Sequence, residues 1–176
     1  MNPDILIIIL SSIAPIIAAI IAVFTIFYLK KSHERTAMMD VFHMITDDHK
    51  NNEDTIIARY KDGTLKKIYA NPTFQLQTKK VWRIYDEIGL LVSKGLIPKE
   101  EFFQLIGLKM VGVYFCSKEL IEERRIKRPF SLRFFTDVVI DCWEYYHDKE
   151  MSIFNPSTLK PIQKDELGDR VQFDNK

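Results

Sequence analysis

Residues 5–29 read ILIIILSSIAPIIAAIIAVFTIFYL, with no charged residue and no Asn, Gln or Gly, and Lys30 and Lys31 follow at once. About 20 apolar residues cross the hydrocarbon core of a bilayer, so this run predicts a transmembrane helix. At about 1.5 Å per residue it makes roughly 37 Å of helix. That spans a core about 30 Å thick with some tilt. A secretory signal peptide would carry basic residues ahead of a shorter apolar region, then small residues at a cleavage site. Here Met1-Asn2-Pro3-Asp4 has no Lys or Arg, and Phe27-Tyr28-Leu29-Lys30 offers no such site. Residues 1–29 are therefore read as an uncleaved anchor.

The flanks set an expected direction. Lys30, Lys31 and Arg35 follow the span and no basic residue precedes it. The excess of Lys and Arg marks the cytoplasmic side, so the expectation is an N-terminus outside and the remaining chain in the cytoplasm. Phe27 and Tyr28 stand where aromatic interface residues are common. Within the span, Ser11, Ala14, Ala18, Ala22 and Thr25 fall within an arc of roughly 80° on one face. Small residues let two membrane helices approach closely, and Ser or Thr can bond across the contact. This face is the candidate for self-association as a homodimer. Ser12 and Ala19 lie off the stripe, and small residues are common in such spans.

The chain has 176 residues, which leaves room for one domain and a tail after the anchor. With 25 basic and 24 acidic residues the net charge is +1, a balance that argues against general nucleic-acid binding. Six Gly and seven Pro, with apolar residues spread widely, indicate a globular middle. Cys116 and Cys142 are the only cysteines. They lie in apolar helical stretches, as buried free thiols do, and no spacing supports a zinc site.

After the span, Ala37, Met38, Val41, Phe42 and Ile45 recur with helical period. They predict a juxtamembrane stalk helix over 30–52 that continues the anchor as far as His49, with a polar break at 47–52. Residues 53–150 are the predicted bundle. Glu53–Tyr60 is read as a short helix, in preference to a hairpin around the Asp62-Gly63 turn. Asn71-Pro72 is a helix start, with Asn as cap and Pro in the first turn. That helix carries Val81, Tyr85, Ile88 and Val92 inward and stops at Gly95. Pro98 opens a helix to about Arg125, and Pro129 opens a last one to about Lys149 with Phe130, Phe134 and Phe135 inward. Residues 151–176 lose the pattern and read as a flexible tail. The expected fold is all-α: one N-terminal transmembrane helix and a cytoplasmic antiparallel bundle of four to five helices.

The order Trp82-Arg83-Ile84-Tyr85-Asp86-Glu87-Ile88-Gly89, Val92-Ser93-Lys94-Gly95-Leu96-Ile97, Glu101-Phe102-Phe103, Glu122-Glu123-Arg124-Arg125, Phe134-Phe135 and Asp141-Cys142-Trp143-Glu144-Tyr145-Tyr146 resembles prokaryotic domain-of-unknown-function family 4760. The resemblance covers most of the chain from the anchor to about Lys149. It implies a membrane segment followed by a helical cytoplasmic domain, and it carries no catalytic residues over.

Some polar residues stand out. Glu87 borders an apolar stripe, and an ion pair with Arg124 of another helix would set helix register. Asp86 and Glu87 with Arg124 and Arg125 are also where an enzyme site would be sought. His43 and Asp47, four apart, could share a metal. The matching pairs that a bundle metal site needs on other helices are missing, so a solvated helix end that also takes in Asp48 and His49 is the preferred reading. Arg124, Arg125, Lys127 and Arg128 form a basic cluster suited to phosphate or anionic lipid. Lys79, Lys80 and Arg83 form a second, weaker basic edge. No phosphate-binding loop, dinucleotide fingerprint or nucleophile elbow occurs. No catalytic residue, metal or cofactor is therefore expected. The expected function is a non-enzymatic interaction or regulatory module at the inner membrane face, with the lipid bilayer and an unidentified protein as partners. The alternatives are a subunit of a larger membrane complex, or an enzyme or effector with an unrecognised site.

Overall fold

The computed structural model describes residues 3–170, with the side chains of 15–170. The fold is all-α, with no named strand among the described residues. The helices are α1 (Pro3–Met44), α2 (Asp47–Lys61), α3 (Leu65–Tyr69), α4 (Pro72–Ser93), α5 (Lys99–Phe102), α6 (Leu108–Lys127) and α7 (Arg133–His147). A π-helical turn, Phe103–Gly107, joins α5 to α6, and a 3-10 turn, Asp165–Leu167, lies beyond α7. The chain divides into two units, Met1–Ala37 and Met38–Lys176.

The first unit is the greater part of α1. Every residue from 15 to 29 is exposed, and α1 is the one helix among the described residues long and apolar enough to cross a membrane. Ser11 and Ala14 of the small-residue stripe lie outside the residues whose side chains are described. Ala18, Ala22 and Thr25 are exposed. The Thr25 hydroxyl donates to the Ile21 carbonyl one turn back, at 2.8 Å. It can therefore offer a neighbouring helix only its oxygen lone pairs.

The second unit begins with the last turns of α1, whose Met38 and Val41 are buried in its core. The helix stops at Met44, so the expected stalk through His49 is corrected. Thr46 caps a new helix, its hydroxyl accepting from the His49 amide at 3.3 Å. Asp47 and Asp48 then occupy the first turn, where carboxylates suit the positive end of the helix dipole. The polar residues that looked like a break are a helix start. Residues 53–70 are helical, as α2 and α3, with Gly63 in the left-handed region (φ 69°) at the turn between them.

α4 begins as expected, with Asn71 Oδ1 accepting from the amides of Thr73 and Phe74 at 2.9 and 3.2 Å. Its inward stripe buries Val81, Trp82, Tyr85, Ile88 and Val92. α7 lies against α4 so closely that a Cβ at Gly89 would collide with the Phe134 carbonyl. The single helix expected from Pro98 is instead α5 and α6 with the π-turn between them. The Phe103 carbonyl, within that turn, accepts the Tyr146 hydroxyl at 2.8 Å. Gly107 presses against Cys142, leaving no space for a Cβ. α7 starts at Arg133, later than Pro129, so Phe130 falls in the preceding loop and is exposed rather than inward.

Residues 151–170 are not a loose tail. Ile153, Ile162 and Leu167 are buried. Trp143 Nε1 donates to the Ile162 carbonyl at 2.8 Å, and the Tyr114 hydroxyl to the Leu167 carbonyl at 3.1 Å. Lys118 Nζ donates to the Glu166 carbonyl at 2.9 Å, and Arg170 bridges Asp141 and Glu144 of α7. The segment is a strap over α6 and α7, fastened through its backbone carbonyls. Leu167→Ala should lower the stability of the full chain by about 2–5 kcal/mol, read as a fall in melting temperature in detergent; an unchanged value would show that the strap is not held there.

Candidate functional site

The polar centre of the second unit is the Glu53 carboxylate, 1% exposed. α2 presents it on the same face as His49, four residues earlier, whose Nε2 lies 2.9 Å from Glu53 Oε1. The Tyr85 hydroxyl of α4 donates to the same oxygen. Lys109 Nζ of α6 lies 3.1 Å from Oε2 and 3.0 Å from Asp54. One carboxylate therefore joins three helices. Burial alone would raise the Glu53 pKa, but the bonds from His49, Tyr85 and Lys109 bring it below the ordinary glutamate value. Burial and the adjoining Glu53 charge push the Tyr85 hydroxyl well up. His49 is 3% exposed, so its reading as part of a solvated helix end is corrected. Its side chain fills the α2–α4 contact, with its ring edge-on to Tyr85 at 5.2 Å.

The sequence flagged Glu87 as the interhelix carboxylate, and the structure assigns that place to Asp86. Asp86 Oδ1 of α4 accepts from the Phe135 amide in the first turn of α7, at 3.0 Å. α7 lacks a capping side chain of its own: Leu132 occupies that position with φ 58°. Asp86 thus caps α7 from a neighbouring helix and satisfies an amide that has no partner within α7. Burial raises its pKa, and the Phe135 and Phe134 amides offset part of that rise. Glu87 instead pairs along its own helix with Arg83, at 2.8 Å on the surface. The expected pair with Arg124 does not form: Arg124 Nε donates to Ser131 Oγ at 2.7 Å.

The basic cluster divides in two. Arg125 turns inward, donating to the Ser131 and Leu132 carbonyls at 3.0 Å each and to Thr136 Oγ1. It braces the α6–α7 loop and is committed there. Arg124, Lys127 and Arg128 line an open groove of about 540 Å³ together with Lys79 and Gln75 of α4. Lys79 is held by Gln75 Oε1 at 2.7 Å. The groove's one acidic residue, Glu123, lies 3.8 Å from Lys66. Lys79, from the weaker basic edge, is thus brought to the main cluster, whereas Lys80 and Arg83 do not line the groove. A second groove of about 530 Å³, between Tyr60, Leu65, Phe115 and Glu166, has lysines and glutamates interspersed and no single sign of charge.

His43 is exposed and Asp47 pairs with Lys50 at 3.2 Å, so these two do not converge. No group of three His, Cys, Asp or Glu placed to hold a metal occurs among the described residues. Burial pushes the Cys116 and Cys142 thiols up to about 12, which makes them inert. The His49–Glu53–Tyr85 set has the residue types of a proton-transfer site, but it lines neither groove and is sealed among three helices. Its geometry suits a structural tie.

No family model matches the chain, and neither the curated proteins nor the solved structures contain a match to it. The resemblance noted above rests on its own residues.

Two predictions follow from the carboxylates. The lowered Glu53 pKa means that its stabilisation is present above the ordinary glutamate range and is lost as pH falls through the lowered value. The melting temperature should therefore drop on acidification below about pH 4.3. Glu53→Gln should cost about 3 kcal/mol at neutral pH and flatten that drop; a variant with the same acid profile as the parent would rule Glu53 out as its source. Asp86→Ala should cost about 1–2 kcal/mol through loss of the cap, and Asp86→Asn, which keeps an acceptor, distinctly less. Equal losses in the two variants would contradict capping.

Proposed function

We propose that the chain is a single-pass, membrane-anchored interaction or regulatory module without catalytic activity, its N-terminus outside and its helical domain in the cytoplasm. The observation that carries this reading is the exposure of residues 15–29 of α1 on every side of the helix. A helix that is apolar all round needs an apolar environment. The positive flank Lys30, Lys31 and Arg35 supports the direction. The polar side chains of the domain support the non-catalytic part. Glu53, Asp86 and Arg125 are each engaged in holding helices or loops together.

A second reading, a subunit of a larger membrane complex, is favoured by the exposed Ala18 and Ala22, which leave room for a neighbouring helix. It shares the anchor and differs in what the anchor touches.

Alkaline carbonate should leave the chain in the membrane fraction, and a reporter fused after Lys176 should be active only in a cytoplasmic format. Release by carbonate would remove the anchor, and periplasmic activity would reverse the direction. Ala18→Leu with Ala22→Leu should weaken helix association in a membrane dimerisation assay; an undiminished signal would exclude that face.

A further inference from the structure

We infer that the α6–α7 loop and the groove beside it form a second membrane contact, one that takes the phosphate-bearing headgroups of an anionic lipid surface. This inference rests on the anchoring proposed above and adds a lipid-recognising site to it.

Three observations converge on the loop. Lys79, Arg124, Lys127 and Arg128 bring four cationic side chains to one open groove. Its only acidic lining residue, Glu123, has Lys66 as a neighbouring cation. Arg124 is oriented by its Nε bond to Ser131, a bond that leaves its other guanidinium donors to a ligand. Guanidinium and ammonium groups so gathered suit phosphate oxygens.

The second observation concerns the apolar residue that precedes Lys127 at the end of α6 and lies outside the groove lining. Ile126 is 83% exposed, more than any other large apolar side chain among the described residues, those of the candidate span included. Phe130, four residues on, is exposed as well. A soluble phosphate would engage the cations and leave Ile126 in water. A lipid interface accommodates both, with the cations at the headgroups and the apolar side chain at the acyl boundary. A nucleic acid would give Ile126 no comparable environment, and the chain's overall charge of +1 offers it little general attraction.

The third observation is the brace. Arg125, between the groove arginine and Ile126 in sequence, spends its hydrogen bonds on the loop's own carbonyls and on Thr136. These bonds tie the end of α6, which carries Ile126 and Lys127, to the loop and to the start of α7. Residues 30–37, about 12 Å of helix, are all that separates Leu29 from the start of the second unit. On the anchoring proposed above, that short stretch is the whole tether in sequence between the span and the second unit.

The full-length chain carrying Ile126→Cys, labelled with an environment-sensitive fluorophore, provides the test. The native thiols are buried and stay unlabelled. In nanodiscs of phosphatidylcholine with phosphatidylserine the label should shift to the blue. The shift should be absent in phosphatidylcholine alone, and lost on adding Lys127→Ser with Arg128→Ser or at about 1 M salt, where the screening length falls to about 3 Å. Circular dichroism and melting temperature confirm that the variants fold. Identical emission in the two kinds of disc overturns the inference, as does a shift that survives both substitutions. A response to millimolar inorganic phosphate without one to phosphatidylserine assigns the groove to a soluble anion and overturns the lipid assignment. Co-elution with the discs separates the two levels. A chain that co-elutes without a shift keeps its anchor and loses the loop contact. A chain that fails to co-elute loses the anchor, and this inference with it.

Discussion

A helix whose side chains are apolar on every side has no stable place in water. Residues 15–29 of α1 impose that constraint, since each is exposed. Burial of a large aliphatic or aromatic side chain is worth about 1.5–3 kcal/mol, and the run contains many. Its surroundings must supply what the protein does not. The helix does not end with the apolar run. It continues to Met44, where Met38 and Val41 already belong to the core of the second unit.

Within that unit, two carboxylates hold elements together in opposite electrostatic conditions. Glu53 is sealed from solvent yet favours its charge, because His49, Tyr85 and Lys109 all point polar atoms at it. Asp86 is half-buried with amide partners, and there burial prevails and raises its pKa. The difference is one of partners: a cation and two ring-borne donors outweigh desolvation, and backbone amides offset only part of it. A buried polar centre of this kind is weak as a source of stability relative to an apolar one of the same shape, but costly to break on one side. Because its partners come from α2, α4 and α6, it also discriminates against other arrangements of those helices.

Elements with strong local signals were legible in the sequence. Asn71-Pro72, the left-handed Gly95 and the Val81–Tyr85–Ile88–Val92 stripe define α4 almost entirely. Three features were hidden, each for a physical reason. The α1–α2 break depends on one Thr46 cap inside a run of residues that also suit a continuing helix. The π-turn's Phe103 carbonyl takes its partner, the Tyr146 hydroxyl, from a helix distant in sequence. The strap buries Ile153, Ile162 and Leu167 at irregular spacing, so no helical or strand period announces it. The site was legible by composition and not by pairing. The basic cluster was visible, whereas the separation of Arg125 from Arg124, Lys127 and Arg128, and the recruitment of Lys79, depend on contacts between helices. His49 and Glu53 gave no sequence signal beyond their i, i+4 spacing, which solvent-exposed pairs share.

The anchoring and the lipid contact proposed above start from one arrangement in sequence, a helix long and apolar enough to cross a membrane followed by a domain whose central carboxylates hold its helices together. The most direct measurement of that arrangement is amide hydrogen–deuterium exchange of the full chain in lipid nanodiscs, comparing residues 15–29 with residues 30–37 of the same helix. Both stretches are helical, and residues 15–29 are exposed throughout. If lipid covers the first, its amides should exchange orders of magnitude more slowly than those of the second. Equal exchange along the two stretches would show that no bilayer surrounds α1 and would contradict the account.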